Sequence, residues 1–167
     1  MSERVYGVKA PIRLDYTYTA GRARSRFLRA LAQRRIVGER CPQCRNVYVP
    51  PGGGCPMCGV PTEEQVEVAH RGTVTTFCIV NLPFYGQQIT PPYVCASIRL
   101  DGADTTLFHL IQEVPADQVT IGMQVEAVWR PDDEMEPSAE TIKYFRPVGP
   151  ASHTLERQAS LSGVAQS

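Results

Sequence analysis

Four of the six cysteines stand as two Cys-Pro-x-Cys pairs, Cys41 with Cys44 and Cys55 with Cys58, separated by ten residues. Each pair sets two thiols on one tight turn, and two such turns facing each other make a tetrahedral four-sulfur cage. Thiolate softness selects zinc or iron over hard cations. Zinc is therefore the expected ion, with iron also accommodated. Four protein ligands close the coordination sphere, whereas catalytic zinc keeps an open position. The cage is expected to be structural, and no catalytic residue is assigned to it. Gly59 supplies left-handed backbone after the second pair, while Arg45 or Asn46 must do so after the first at modest cost.

The other reactive side chains are scattered. His70 precedes a strand, His153 lies near the end of the chain, and His109, between Phe108 and Leu110, reads as a packed or rim strand residue. Cys78 alternates with Val74, Thr76 and Val80 and is expected in the core. Cys95 shares a strand face with Tyr93, Ser97 and Arg99, and no histidine is placed to activate it. The acidic run at 131–140 reads as a solvated loop. "PPGGGCP" opens no helix after a buried strand, so it lacks the context of a phosphate loop.

Around the cage the chain divides by periodicity. Residues 1–37 are read as an arm followed by a basic amphipathic helix over 21–37, with Ala23, Phe27, Leu28, Leu31 and Ala32 on one stripe. Residues 38–65 form the metal ribbon, entered by the strand "IVGERC". Too few apolar residues lie in the ribbon to fold it alone, so metal removal is expected to unfold 36–65 and leave the rest intact. From Val66 the period becomes two. Five β-branched or aromatic runs, 72–82, 93–100, 104–111, 123–130 and 140–147, imply a small barrel or Greek-key sheet over 66–148. Asp101-Gly102 marks a hairpin. "PFYGQQITPP" (83–92) is a stiff loop offering Phe84 and Tyr85. The tail 149–167 has no apolar stripe and is expected to be disordered.

Residues 1–45 hold eleven Arg/Lys against three Asp/Glu, and residues 66–148 hold five against eleven. Single-stranded nucleic-acid binding is the alternative function for a small barrel with a zinc ribbon, but an acidic barrel repels phosphate. With neither a signal-type h-region nor an apolar run of membrane length, the chain is expected in the cytoplasm without a membrane partner.

The sequence runs "SRFLRAL", "GERCPQC", "VYVPP", "CPMCG", "GTVTTFCIVNLPFYG", "PPYVCASIRLDGADT" and "IGMQVEAVW" resemble, from Tyr16 to Pro147, the zinc-ribbon plus OB-fold proteins catalogued as a domain of unknown function and encoded beside acyl-CoA enzymes. The resemblance implies a mainly β fold, with an N-terminal helix, a rubredoxin-like zinc ribbon and a C-terminal five-stranded OB-fold barrel. It also implies a non-catalytic small subunit of a thiolase-like large subunit of the lipid-transfer or sterol-carrier type. Such pairs act as thiolases or retro-aldolases on acyl-CoA thioesters, and the steroid side-chain members look most similar. One departure is Gln33-Arg34-Arg35, where a glycine turn is expected after the helix. Phe27, Leu28, Leu31, Phe84 and Tyr85 are the expected partner anchors, although the helix stripe equally suits packing on the protein's own ribbon. Arg22, Arg24 and Arg26 are the expected contacts to CoA, if this subunit contributes to the acyl-CoA path.

Overall fold

The computed structural model of the 167-residue chain describes residues 17–149, together with Gly7 and Leu14. The expected disordered tail and most of the N-terminal arm lie outside the described residues. Helix α1 (Gly21–Leu31) buries Ala23, Phe27, Ala30 and Leu31. It does not continue to Val37 as its stripe suggested. The chain turns at Arg34, which takes φ 55°, while Arg35 N–H donates to the Ala30 carbonyl and Arg34 N–H to the Leu31 carbonyl, both at 2.9 Å. This pairing is a Schellman stop with arginine at the position glycine usually holds. Ile36 and Val37 are thereby released to begin a strand.

That strand, β1 (Ile36–Arg40), is the centre of a three-stranded antiparallel sheet between β2 (Val47–Tyr48) and β3 (Glu64–Val68). The ribbon sheet thus reaches Val68. Gly38 is needed here because a Cβ would lie 2.7 Å from the Val49 side chain and 2.8 Å from the Tyr48 carbonyl. β2 is fastened to the rest of the molecule by its backbone. Val47 N–H donates to Asp104 Oδ2, Val49 N–H donates to Thr105 Oγ1, and Asp104 N–H donates to the Val47 carbonyl, all within 2.9 Å.

The remaining strands, β4 (Arg71–Val80), β5 (Tyr93–Leu100), β6 (Thr106–Ile111), β7 (Gln124–Trp129) and β8 (Ile142–Pro147), close into a barrel in the order β4-β5-β6-β8-β7. Every pairing is antiparallel except the parallel β6–β8 seam at Ile111 and Phe145. The Asp101-Gly102 turn joins β5 to β6, with Gly102 at φ 95°. Five closed strands with one parallel seam are the OB-fold arrangement that the resemblance implied. A single apolar core runs from Phe145, Ile98, Val74 and Val125 inside the barrel through Val68 and Ile36 to Phe27 and Leu31 on the helix. Helix, ribbon and barrel therefore share buried surface instead of being linked as beads.

One irregularity changes which side chains reach the surface. Partners run Val74 with Ile98 and then Thr76 with Ser97, so Thr75 is an extra residue in β4. A one-residue bulge turns the rest of a strand over. Phe77 goes inward against Ala96, and Cys78, expected in the core, is exposed on the outer wall.

Candidate metal centre and exposed face

The two Cys-Pro-x-Cys turns are near copies. Arg45 and Gly59 take φ 65° and 68°, and their N–H groups donate to the Cys41 and Cys55 carbonyls at 3.1 and 2.8 Å. Gln43 N–H points at Cys41 Sγ and Cys58 N–H at Cys55 Sγ, each at 3.4 Å. The strand β2 between the turns brings them face to face. The sulfurs of Cys41, Cys44, Cys55 and Cys58 all lie within 4.8 Å of one another. Tetrahedral arms of about 2.3 Å would separate sulfurs by about 3.8 Å, and Cys44 and Cys55 are 3.7 Å apart. The donor set fits a four-coordinate soft metal with no position left open.

Burial and neighbours split the thiols electrostatically. The Tyr48 hydroxyl, 3.1 Å from Cys55 Sγ, lowers that thiol to about 6, and the same hydrogen bond raises Tyr48. Burial, followed by the neighbouring thiols, pushes Cys58 up to about 12. Filling the cage with a dication displaces the protons that burial holds in place, so metal affinity rises with pH. Tyr48 is a contributor that spacing alone does not reveal, since only the folded ribbon sets its ring beside Cys55.

The helix residues assigned to a partner or to CoA divide sharply. Phe27 and Leu31, expected at a partner surface, are 4% and 1% exposed and belong to the chain's own core. Arg26, expected at CoA, donates instead to Glu39 Oε1 at 2.7 Å, and Thr62 Oγ1 donates to Glu39 Oε2 at 2.9 Å. Its charge is engaged in clamping the helix to the ribbon. Leu28 stays half-buried, and Arg24 is exposed. Both border a hollow lined also by Pro50, Leu107 and Phe108.

That hollow continues, through Phe108 and His109, into a second of about 500 Å³ bounded by Ile89, Cys95, Arg130 and Lys143. Phe108 stands 64% exposed between them. His109 packs edge-on to Phe145 at 5.6 Å and accepts the Leu110 N–H on Nδ1 at 2.9 Å. Burial lowers its pKa against the opposing pull of the Ile142 and Ala139 backbone. His70 lies edge-on to Trp129 at 5.0 Å. Beyond the second hollow, the 81–92 loop presents Phe84 at 62% and Tyr85 at 100% exposure. Gln87 holds the turn, accepting the Phe84 N–H at 3.2 Å and donating to the Tyr93 hydroxyl at 3.1 Å. The two hollows make an apolar face running from Leu28 across Phe108 to Ile89 of this loop, which no single sequence run discloses. Among the described residues, no helix is long and apolar enough to cross a membrane.

Comparison with known proteins agrees with this architecture. Residues 29–64 match the family model "ChsH2, rubredoxin-like zinc ribbon domain", and residues 65–130 match "ChsH2, C-terminal OB-fold domain". A "DUF35 domain-containing scaffold protein" of Pyrococcus furiosus is 30% identical over 74% of this chain and 92% of its own length. One from Methanocaldococcus jannaschii is 36% identical over 57% of this chain and 67% of its own. A "Probable enoyl-CoA hydratase alpha subunit" of Thermomonospora curvata is 33% identical over 74% of this chain, which spans only 37% of that longer protein. Among solved structures, a chain of an "Ltp2-ChsH2(DUF35) aldolase" superposes with a TM-score of 0.58 at 30% identity, covering 76% of this chain and 95% of that one. With both domain models matched in order and the cage, ribbon and barrel in place, the chain belongs to the DUF35 family of ChsH2-type zinc-ribbon plus OB-fold proteins.

Proposed function

We propose that the protein is the non-catalytic partner subunit of a thiolase-like acyl-CoA enzyme. The large subunit of the hetero-oligomer then carries out thiolysis or retro-aldol cleavage of an acyl-CoA thioester, as in steroid side-chain degradation. The observation that carries this reading is the likeness, at 30% identity over 95% of its length, to a chain of an Ltp2-ChsH2(DUF35) aldolase. Relatives named as scaffold proteins support an assembly role, and one named as an enoyl-CoA hydratase subunit supports the substrate class. The ion in the cage is zinc, held for structure.

Leu28, Phe84 and Tyr85 are the anchors for the large subunit, since accessible aromatic and apolar side chains are what interfaces use. Arg24, on the edge of the hollow under α1, and Arg22, exposed in the first turn of the same helix, contribute to the acyl-CoA path. Among the described residues neither pairs with a carboxylate, which leaves both guanidiniums available to phosphate. The test is co-expression with a thiolase-like large subunit. Phe84→Asp with Tyr85→Asp should abolish co-purification while the isolated chain keeps its fold and metal, and a retained complex would sink the docking assignment. Arg22→Ala with Arg24→Ala should leave the complex intact but weaken its CoA affinity about tenfold, the loss expected for one or two charge-assisted hydrogen bonds. Unchanged affinity removes this subunit from the acyl-CoA path.

A further inference from the structure

The bulge that exposes Cys78 also creates a pair. With Thr75 inserted, Cys78 lies directly opposite Cys95 across the β4–β5 ladder. Residues facing each other in an antiparallel ladder point to the same side of the sheet, with Cα atoms about 4.5–5.5 Å apart. A disulfide spans Cα separations of about 4.4–6.8 Å. Without the bulge, Cys78 would face Val94 and the core. Thr75 is held as the extra residue by its own hydrogen bond, its Oγ1 donating to the Ser97 carbonyl at 2.9 Å.

The two thiols differ in access. Cys78 is exposed, whereas Cys95 is half-buried and borders the apolar hollow near Phe108 and Leu110. Burial, then the neighbouring Cys78, raises the Cys95 thiol. The other four cysteines are gathered at the metal cage, so this dithiol stands apart from it.

We infer that Cys78 and Cys95 form a redox-modifiable dithiol on the outer wall of the barrel, with a low-molecular-weight disulfide as its oxidant. The Cys78 thiolate attacks one sulfur of the small disulfide, whose S–S bond breaks and releases one thiolate. Cys95 then loses its proton to solvent and attacks Cys78 Sγ, expelling the second thiolate. Both released thiolates take up protons. Two protein thiols are oxidised to one disulfide while one small disulfide is reduced to two thiols.

The location gives the bond a consequence. The ladder continues only through Ile79 and Val80, opposite Val94 and Tyr93, before the 81–92 loop begins. Closing Cys78 to Cys95 fixes the base of that loop and narrows the range of positions open to Phe84 and Tyr85. Formation of the disulfide is independent of any partner, so it is tested on the isolated chain.

The metal-loaded full-length protein is treated with oxidised glutathione at mildly alkaline pH, alkylated and digested with trypsin. No Lys or Arg lies between Arg71 and Arg99, so both cysteines fall on one peptide, 72–99. The expected product is that peptide lighter by two hydrogens and unalkylated, with the cage metal still bound by a chromogenic chelator assay. Cys95→Ser should stop the reaction at a glutathione adduct on Cys78, and Cys78→Ser should leave Cys95 alkylated. Native chymotryptic cutting at Tyr85 should slow several-fold in the oxidised protein. Full alkylation of both cysteines with the metal retained would overturn the inference, as would a glutathione adduct on Cys78 that never closes in the unmodified sequence.

Discussion

Glu39 is 1% exposed and carries a carboxylate, an expensive group to bury without partners. Arg26 and Thr62 supply them, one from the helix and one from the ribbon. The two ends of the ion pair are not equivalent, because the Arg26 side chain keeps 30% exposure while Glu39 keeps 2%. Removing the arginine strands a buried charge. Removing the acid lets a guanidinium turn to water. Arg26→Met should therefore cost about 3 kcal/mol, toward the low end for breaking a buried pair, and Glu39→Gln only about 1 kcal/mol. Urea unfolding with the metal bound checks the order. His109 makes the pH-dependent counterpart. Its folded pKa lies below the ordinary 6.5, chiefly through burial, so the unfolded chain binds the proton more readily. This contribution to stability is complete above about 6.5 and is lost as pH falls toward the folded value. Arg130, Glu140 and Lys143 border the same hollow. His109→Gln should flatten that part of the stability profile, read as the difference between the two proteins' urea midpoints across mildly acidic pH.

At the scale of elements, the metal ribbon shows how much an isolated motif depends on what it touches. Taken alone, residues 36–65 have too little apolar content to fold without an ion. In the structure Ile36, Val47, Val49 and Val68 are built into the core shared with the barrel, and only Cys41, Tyr48 and Cys55 form a separate buried cluster around the cage. Metal removal or Cys41→Ser should accordingly melt the two knuckles, 41–46 and 53–61, and leave β1, β2 and β3 protected. Hydrogen exchange reads this directly. Loss of protection at Ile36–Val37 and Val66–Val68 would show that the shared core does not hold the ribbon. The helix stop follows the same logic. Arg34 pays a left-handed strain of about 1 kcal/mol, offset in part by its guanidinium, which reaches Asp132 Oδ1 at 2.6 Å and the Arg130 carbonyl at 3.2 Å.

Over the whole molecule, the basic front and acidic body meet. Arg34 pairs with Asp132 and Arg35 with Glu67, while Arg26 is met within the front itself by Glu39, so much of the positive front is neutralised within the chain. Among the described residues, Arg22, Arg24 and Arg29 remain unpaired on the helix. Three cations beside an acidic barrel make a poor footprint for a polyanion, whose affinity scales with the phosphates neutralised. Micromolar protein should therefore leave single-stranded DNA unshifted at physiological salt. A salt-sensitive shift lost in Arg22→Ala with Arg24→Ala would revive the nucleic-acid alternative.

The cage and the strand framework were legible in the residues themselves. Cys-Pro-x-Cys spacing is local, so the four ligands needed no tertiary information, and period-two alternation placed all five barrel strands, 93–100 to the residue. Three features were decided only by folding. The α1 stripe identified a buried face without saying what buries it, and Phe27 and Leu31 went to the chain's own core. The helix end was masked because an arginine occupies the left-handed position that glycine would have announced. The surface position of Cys78 depends on one inserted residue in β4, since alternation fixes a strand's faces only until a bulge reverses them.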